Sequence, residues 1–194
     1  IGNASGLCEY TATGLDSGSD YNFRVFNTNT GGASEFSTVA NNWTLNDAPT
    51  GLSASTTANT STTANLIWTA PSGTVTGYEI QRETPVGSGW SVLVADTGNT
   101  STSYNDTGLT LSTDYNYRIS AINLGGLSLT SNTDSVGMLS VPTAPTSLTL
   151  TLQDPLRIKL DWTPSSNLYT GTLQGYKIER QVDNGGWNVA IANT

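Results

Sequence analysis

Leu109-Thr110-Leu111-Ser112-Thr113-Asp114-Tyr115-Asn116-Tyr117-Arg118-Ile119-Ser120-Ala121-Ile122-Asn123 decides the fold. Apolar side chains recur on alternate positions, interrupted only by Thr113: Leu109, Leu111, Tyr115, Tyr117, Ile119 and Ala121. Thr110, Ser112, Asp114, Asn116, Arg118 and Ser120 fill the places between. A period of two puts one set on one face of an extended strand, whereas a helix would scatter it. The same alternation appears in Leu148, Leu150 and Leu152 between threonines, and in Ile158, Leu160 and Trp162 around Lys159 and Asp161. Ala64, Leu66 and Trp68 share a face, as do Tyr78 and Ile80. Pro71-Ser72-Gly73 and Asp106-Thr107-Gly108 punctuate these rows as turns. No stretch of a dozen residues carries a helical stripe. The expected class is all-β, with short half-buried strands in an antiparallel sandwich.

The chain also repeats itself. Leu66-Ile67-Trp68-Thr69 returns as Leu160-Asp161-Trp162-Thr163, and Gly77-Tyr78-Glu79-Ile80-Gln81-Arg82 as Gly175-Tyr176-Lys177-Ile178-Glu179-Arg180. Gly89-Trp90 returns as Gly186-Trp187. In the other direction Leu15, Tyr21, Asn29 and Gly31-Gly32 match Leu109, Tyr115, Asn123 and Gly125-Gly126, each 94 residues later. Tyr10 matches Tyr104, and Ala48-Pro49-Thr50 matches Ala144-Pro145-Thr146. Only the middle copy, residues 47–141, is whole. Residues 1–46 correspond to the closing half of a copy and residues 142–194 to an opening half.

These residues resemble the fibronectin type III family. The resemblance is carried by Ala48-Pro49-Thr50-Gly51-Leu52, Trp68, Tyr78-x-Ile80, the Leu109-to-Asn123 row and Gly125-Gly126. It implies tandem immunoglobulin-like antiparallel β-sandwiches: a C-terminal half at 1–46, a complete domain at 47–141 and an N-terminal half at 142–194. It further implies that Tyr21 and Tyr115 are corner tyrosines whose hydroxyls hydrogen-bond nearby backbone, and that Trp68 and Trp162 are core. Leu111 stands where the family often has proline, and Asn27 is polar where Ala121 is apolar.

Composition narrows the chemistry. The chain has no histidine and one cysteine, Cys8. That removes a Ser–His–Asp triad, a Cys–His pair, a Cys-x-x-Cys pair, thiolate or imidazole zinc sites and an intrachain disulfide. Cys8 reads as a small buried apolar residue, or else as a link between chains. A net charge of −8 argues against nucleic acid and anionic lipid as partners. The apolar runs are too short to span a bilayer. Only 11% of residues are charged, and Thr, Ser, Asn and Gly occupy the usual places of Lys and Glu. Such a surface points to an extracellular or cell-surface location. Given export, the sequons at Asn3, Asn42, Asn59, Asn99 and Asn105 become acceptors for N-linked glycans.

Neither catalytic, cofactor-binding nor metal residues are expected. Asp16 and Asp20 read as turn-formers, since calcium wants six to eight oxygen ligands and this loop offers few. Paired carboxylates for glycoside hydrolysis need a cleft, which a sandwich filled by its own side chains does not offer. Trp90 and Trp187 read as packing at a sandwich edge, with sugar stacking the other reading. Trp43, next to the linker Asn46-Asp47-Ala48-Pro49, reads as a residue packed between neighbouring domains.

Half a sandwich leaves its inner face wet. About ten large apolar side chains at about 1.5–3 kcal/mol each exceed the roughly 5–15 kcal/mol that holds a domain together. The two halves are complementary in phase. Other copies of the chain, docking head to tail, or continuation of a longer repetitive chain are therefore the expected partners. The functional expectation is a non-catalytic structural repeat segment of an extracellular filament, stalk or surface-layer protein. The alternatives are a spacer of a secreted polysaccharide-degrading enzyme, or an adhesin that binds a receptor or glycan.

Overall fold

The computed structural model describes residues 8–57, 61–165 and 175–192. Every regular element in them is a strand. Before the linker come β1 (Asp20–Phe23), β2 (Thr28–Asn29), β3 (Gly32–Ala33) and β4 (Ala40–Trp43). The central region holds β5 (Thr50–Ser55), β6 (Thr63–Thr69), β7 (Gly77–Glu83), β8 (Ser91–Val94), β9 (Ser103–Thr107), β10 (Thr113–Asn123), β11 (Gly126–Thr130) and β12 (Asp134–Met138). After it come β13 (Thr146–Asp154), β14 (Arg157–Thr163), β15 (Ile178–Arg180) and β16 (Asn188–Ile191).

Two antiparallel sheets form the central region. One has the order β5-β6-β9. In the other, β11-β10-β7-β8, β12 also pairs with β10. The inward alternation of β6 supplies Ala64, Leu66 and Trp68, and that of β10 supplies Tyr115, Tyr117, Ile119 and Ala121, all buried. Leu52, Tyr78, Ile80, Leu109, Val136 and Met138 complete the core. The all-β antiparallel sandwich expected from the period of two is present.

Of the Leu109-to-Asn123 row, Thr113–Asn123 form β10, the longest strand described, while residues 109–112 turn into it with Ser112 at a φ of +57°; β10 pairs to β7 with Ile119 opposite Ile80 and Tyr117 opposite Arg82. Its other edge is served by β11 and β12 in turn, with a break in register between Ser120 and Ile122. Serines fill that break. Ser128 Oγ accepts the N–H of Ala121 at 2.9 Å, and Ser131 Oγ accepts that of Ile119 at 3.1 Å.

The same device recurs before the linker. Ser34 Oγ accepts the N–H of Asn27 at 3.0 Å, and Ser37 Oγ accepts that of Val25 at 3.1 Å. Each pair lies 94 residues before its counterpart. β1 pairs with β4 in the register that β10 keeps with β12: Tyr21 faces Asn42 as Tyr115 faces Val136. That register sets Trp43 opposite Asp20 and makes Gly137 its counterpart.

The flanking strands form separate two-stranded sheets: β1-β4, β2-β3, β13-β14 and β15-β16. Their inward faces are open. Phe23 is 44% exposed and Leu150 64%.

Candidate functional site

A polar constellation lies where the linker meets the central sandwich. Residues 17–18 and 43–46 lie against residues 72–74 of the β6–β7 loop and residues 123–126 of the β10–β11 turn. Thr74 donates its N–H to the Gly18 carbonyl at 2.9 Å. The side-chain amide of Asn46 donates to the Ser72 carbonyl at 3.2 Å, and that of Asn123 donates to the Thr44 carbonyl at 2.9 Å. Asn123 Oδ1 accepts the N–H groups of Gly125 and Gly126, which fixes the amide that reaches Thr44. Within the linker Gly18 N–H bonds Leu45 O at 3.0 Å, and Asp47 N–H bonds Ser17 Oγ at 2.7 Å.

The approach is too close for side chains. A Cβ on Gly73 would stand 2.4 Å from the Ser17 carbonyl oxygen, and one on Gly18 would stand 2.3 Å from Asn46 Nδ2. Both residues have positive φ, +87° and +58°, a region L side chains avoid. A Cβ on Gly125 would stand 3.0 Å from the Cβ of Trp43. Trp43, half-buried, thus lies against the β10–β11 turn. Asn46 is buried although it is polar. Sequence reasoning marked Trp43 and, within the repeat, Gly125-Gly126. It missed Gly18, Asn46, Gly73 and the role of Asn123.

A second polar constellation spans the two sheets. Asp106 on β9, 4% exposed, accepts hydrogen bonds from Arg82 Nη1 at 2.9 Å and from the Tyr117 hydroxyl at 2.8 Å. Burial, and next the neighbouring Asp106 carboxylate, push the Tyr117 phenol well above its ordinary range. The arrangement satisfies a buried charge. Its carboxylate is paired with both the Arg82 cation and the Tyr117 phenol.

The sequence-marked residues are placed as follows. Tyr115 accepts the N–H of Thr110 on its phenolic oxygen at 3.0 Å, and Tyr21 accepts that of Asp16 at 2.8 Å. Trp68 is buried against Tyr78. Tyr21 and Trp162 are only half-buried, because among the described residues no second sheet closes over β1 or β14. Cys8 is exposed, against the buried reading. Its counterpart Thr102 is half-buried because its carbonyl accepts the N–H of Trp68 on β6, whereas β14 pairs with β13 and not with the Cys8 segment.

Asn42, Asn99 and Asn105 are exposed, while Asn3 and Asn59 lie outside the described residues. The Asn99 side-chain amide bonds the Thr97 carbonyl at 2.9 Å. Asp16 and Asp20 are exposed, and among the described residues no three His, Cys, Asp or Glu side chains are grouped to hold a metal. No helix among them is long and apolar enough to cross a membrane.

Trp90 has the Arg118 guanidinium 4.3 Å from its ring centroid, so one face is covered at the sheet edge. Nearby, hydrogen bonds from Asn116 and from the Gly89 N–H hold the Glu83 carboxyl below its ordinary range. Trp187, in the corresponding place after β15, is exposed.

The family model for the fibronectin type III domain matches residues 47–136. Among solved structures, the chain is similar to an Fn3-like protein from Clostridium thermocellum, at 35% identity over 51% of this chain and 96% of that one, with a TM-score of 0.40. It is also similar to titin domains, at 22% identity over 53% of this chain and 37% of that one, with a TM-score of 0.42. The twitchin kinase region from C. elegans matches at 23% identity over 48% of this chain and 17% of that one, with a TM-score of 0.42. The chain thus spans well under two thirds of the titin and twitchin structures. With the two antiparallel sheets, the family match settles the central region: the chain carries a fibronectin type III domain at residues 47–136, and through that domain it belongs to the family.

Proposed function

We propose that the chain is a non-catalytic structural segment of an extracellular filament, stalk or surface-layer protein, built as a linear head-to-tail array of fibronectin type III repeats. The observation that carries this reading is the joint at Gly18, Asn46, Gly73 and Asn123. Four-residue linkers between independent domains swing; this one is bonded to two loops of the domain that follows. A joint of that kind fixes the angle between successive units, and a fixed angle repeated along a chain gives a thread of set reach and stiffness. The surface of uncharged polar residues and the exposed acceptors Asn42, Asn99 and Asn105 fit an extracellular setting.

The test is low-resolution imaging of the native particle. A thread of evenly spaced beads is the expected result, and a compact globule overturns the proposal.

A further inference from the structure

We propose that Asn132 and Asp134 form a mechanical grip. Their side chains stitch β5, the first strand of the central domain, to the segment that leads into β12, its last. Tension along the chain must break this stitch before the domain opens. The inference rests on the array proposed above and names the contact that resists extension in it.

β5 lies at the outside of its sheet, with β6 on one side only. The ladder with β6 sets Ser53 opposite Ile67 and Ser55 opposite Asn65. The N–H groups of Leu52 and Ala54 go instead to side chains. Leu52 donates its N–H to Asn132 Oδ1 at 3.0 Å, and its carbonyl accepts from Asn132 Nδ2 at 3.0 Å. One side-chain amide thus does the work of a neighbouring strand's peptide. Ala54 donates its N–H to Asp134 Oδ2 at 2.7 Å, and a carboxylate acceptor makes the stronger kind of hydrogen bond.

The break in register along β10 makes the stitch possible. Ser131 Oγ faces β10 and serves the N–H of Ile119, and the next residue, Asn132, faces β5. From Asp134 onward β12 lies against β10, with Asp134 opposite Tyr117. The last strand is therefore tied to β10 by its backbone and to β5 by side chains.

Direction gives the stitch its mechanical meaning. Residues 52 and 54 meet 132 and 134 in the same order, so the two segments run parallel. The linker enters β5 at its N-terminal end, and the chain leaves β12 at its C-terminal end. Tension pulls the two segments in opposite directions along a common axis. The three bonds then share the load and fail together, whereas bonds at the end of a hairpin are peeled one at a time. Sliding β5 away also bares Leu52, which is buried in the core. Asn132 is exposed and Asp134 half-buried, so either side chain can be shortened without opening a cavity.

The test compares two unfolding rates of the central domain in the full 194-residue chain. One is measured at constant force with the chain held by its two ends, the other in urea without force. N132A and D134A are each expected to raise the rate under force at least about tenfold, and the rate in urea by less than about fivefold. D134N keeps an acceptor for the Ala54 N–H and is expected to stay within about threefold of wild type in both. S131A, whose lost bond faces β10, is expected to change the two rates by similar factors.

Equal fold-changes in the two assays for N132A and D134A, or no change under force, overturn the grip. The array is judged by imaging and the grip by pulling single chains, so the failure of either is read separately from the other.

Discussion

Trp162 meets Tyr176 edge to face, with ring centroids 5.0 Å apart at 74°. Trp68 and Tyr78 make the same contact at 5.0 Å and 75°. The difference lies in what covers them: the central pair is buried, and Trp162 is half-exposed. Trp68→Ala is therefore expected to destabilise the central domain by about 3–5 kcal/mol, the cost of an emptied aromatic site in a closed core. Trp162→Ala should change it by less than about 0.5 kcal/mol. Hydrogen exchange of the β10 amides reads both, and equal losses of protection would contradict this account.

Asp106 is the one acceptor shared by Arg82 Nη1 and the Tyr117 hydroxyl. Asp106→Ala leaves a partly buried guanidinium and a buried phenol without their acceptor, and is expected to cost about 3–5 kcal/mol. Tyr117→Phe removes one hydrogen bond and should cost about 1 kcal/mol. The phenol also gives an alkaline signature. Its folded pKa is raised above the unfolded value near 10. The stability it contributes is whole below about pH 10 and is lost as pH rises towards the folded value. Denaturation midpoints of wild type and Y117F should therefore converge above pH 10, and a constant gap would exclude the linkage.

The strands were legible because the pattern of β10 has no helical reading. Leu109 through Ala121 alternate except at Thr113, and burial follows the alternation at Tyr115, Tyr117, Ile119 and Ala121, with Ser120 buried as well. Asp106 was legible in part. It was read with Thr107 and Gly108 as a turn, yet it shares a face with Tyr104, and a lone carboxylate on an inward face calls for a buried cation. The serines at 34, 37, 128 and 131 repeat at a spacing of 94, a signal that could have singled them out. The joint was not legible. Gly73 looks like any turn glycine, and its constraint comes from the Ser17 carbonyl, 56 residues away in sequence. Cys8 was misread because residue-type tendencies towards burial assume a complete domain around the residue.

Ser131 and Ser37 occupy equivalent places with unequal surroundings. Ser131 Oγ serves the N–H of Ile119, a fully buried residue, whereas Ser37 Oγ serves Val25, which is exposed. Ser131→Ala should cost about 1–3 kcal/mol, because water cannot replace the lost acceptor in the core. In Ser37→Ala water can replace it, so the effect in one isolated copy should stay within about 0.5 kcal/mol. Urea denaturation of the two variants distinguishes them, and a neutral S131A would mean that the register break tolerates an unpaired amide.

Gly73 and Gly108 separate the joint from the backbone. Both have positive φ, +87° and +73°, so alanine at either position costs about 1–2 kcal/mol of local strain. Only Gly73 has a neighbour: a Cβ there meets the Ser17 carbonyl oxygen at 2.4 Å and the Gly18 Cα at 2.8 Å, whereas one on Gly108 meets nothing within 4 Å. Gly73→Ala must push residues 17–18 away and break the bond from Thr74 N–H to the Gly18 carbonyl. Gly108→Ala leaves the joint alone. Backbone ¹⁵N relaxation should give β1 and β10 one common tumbling time in wild type and G108A, and separate times in G73A. Equal coupling in all three proteins would show that the linker's hydrogen bonds, rather than the glycine contact, hold the two parts together.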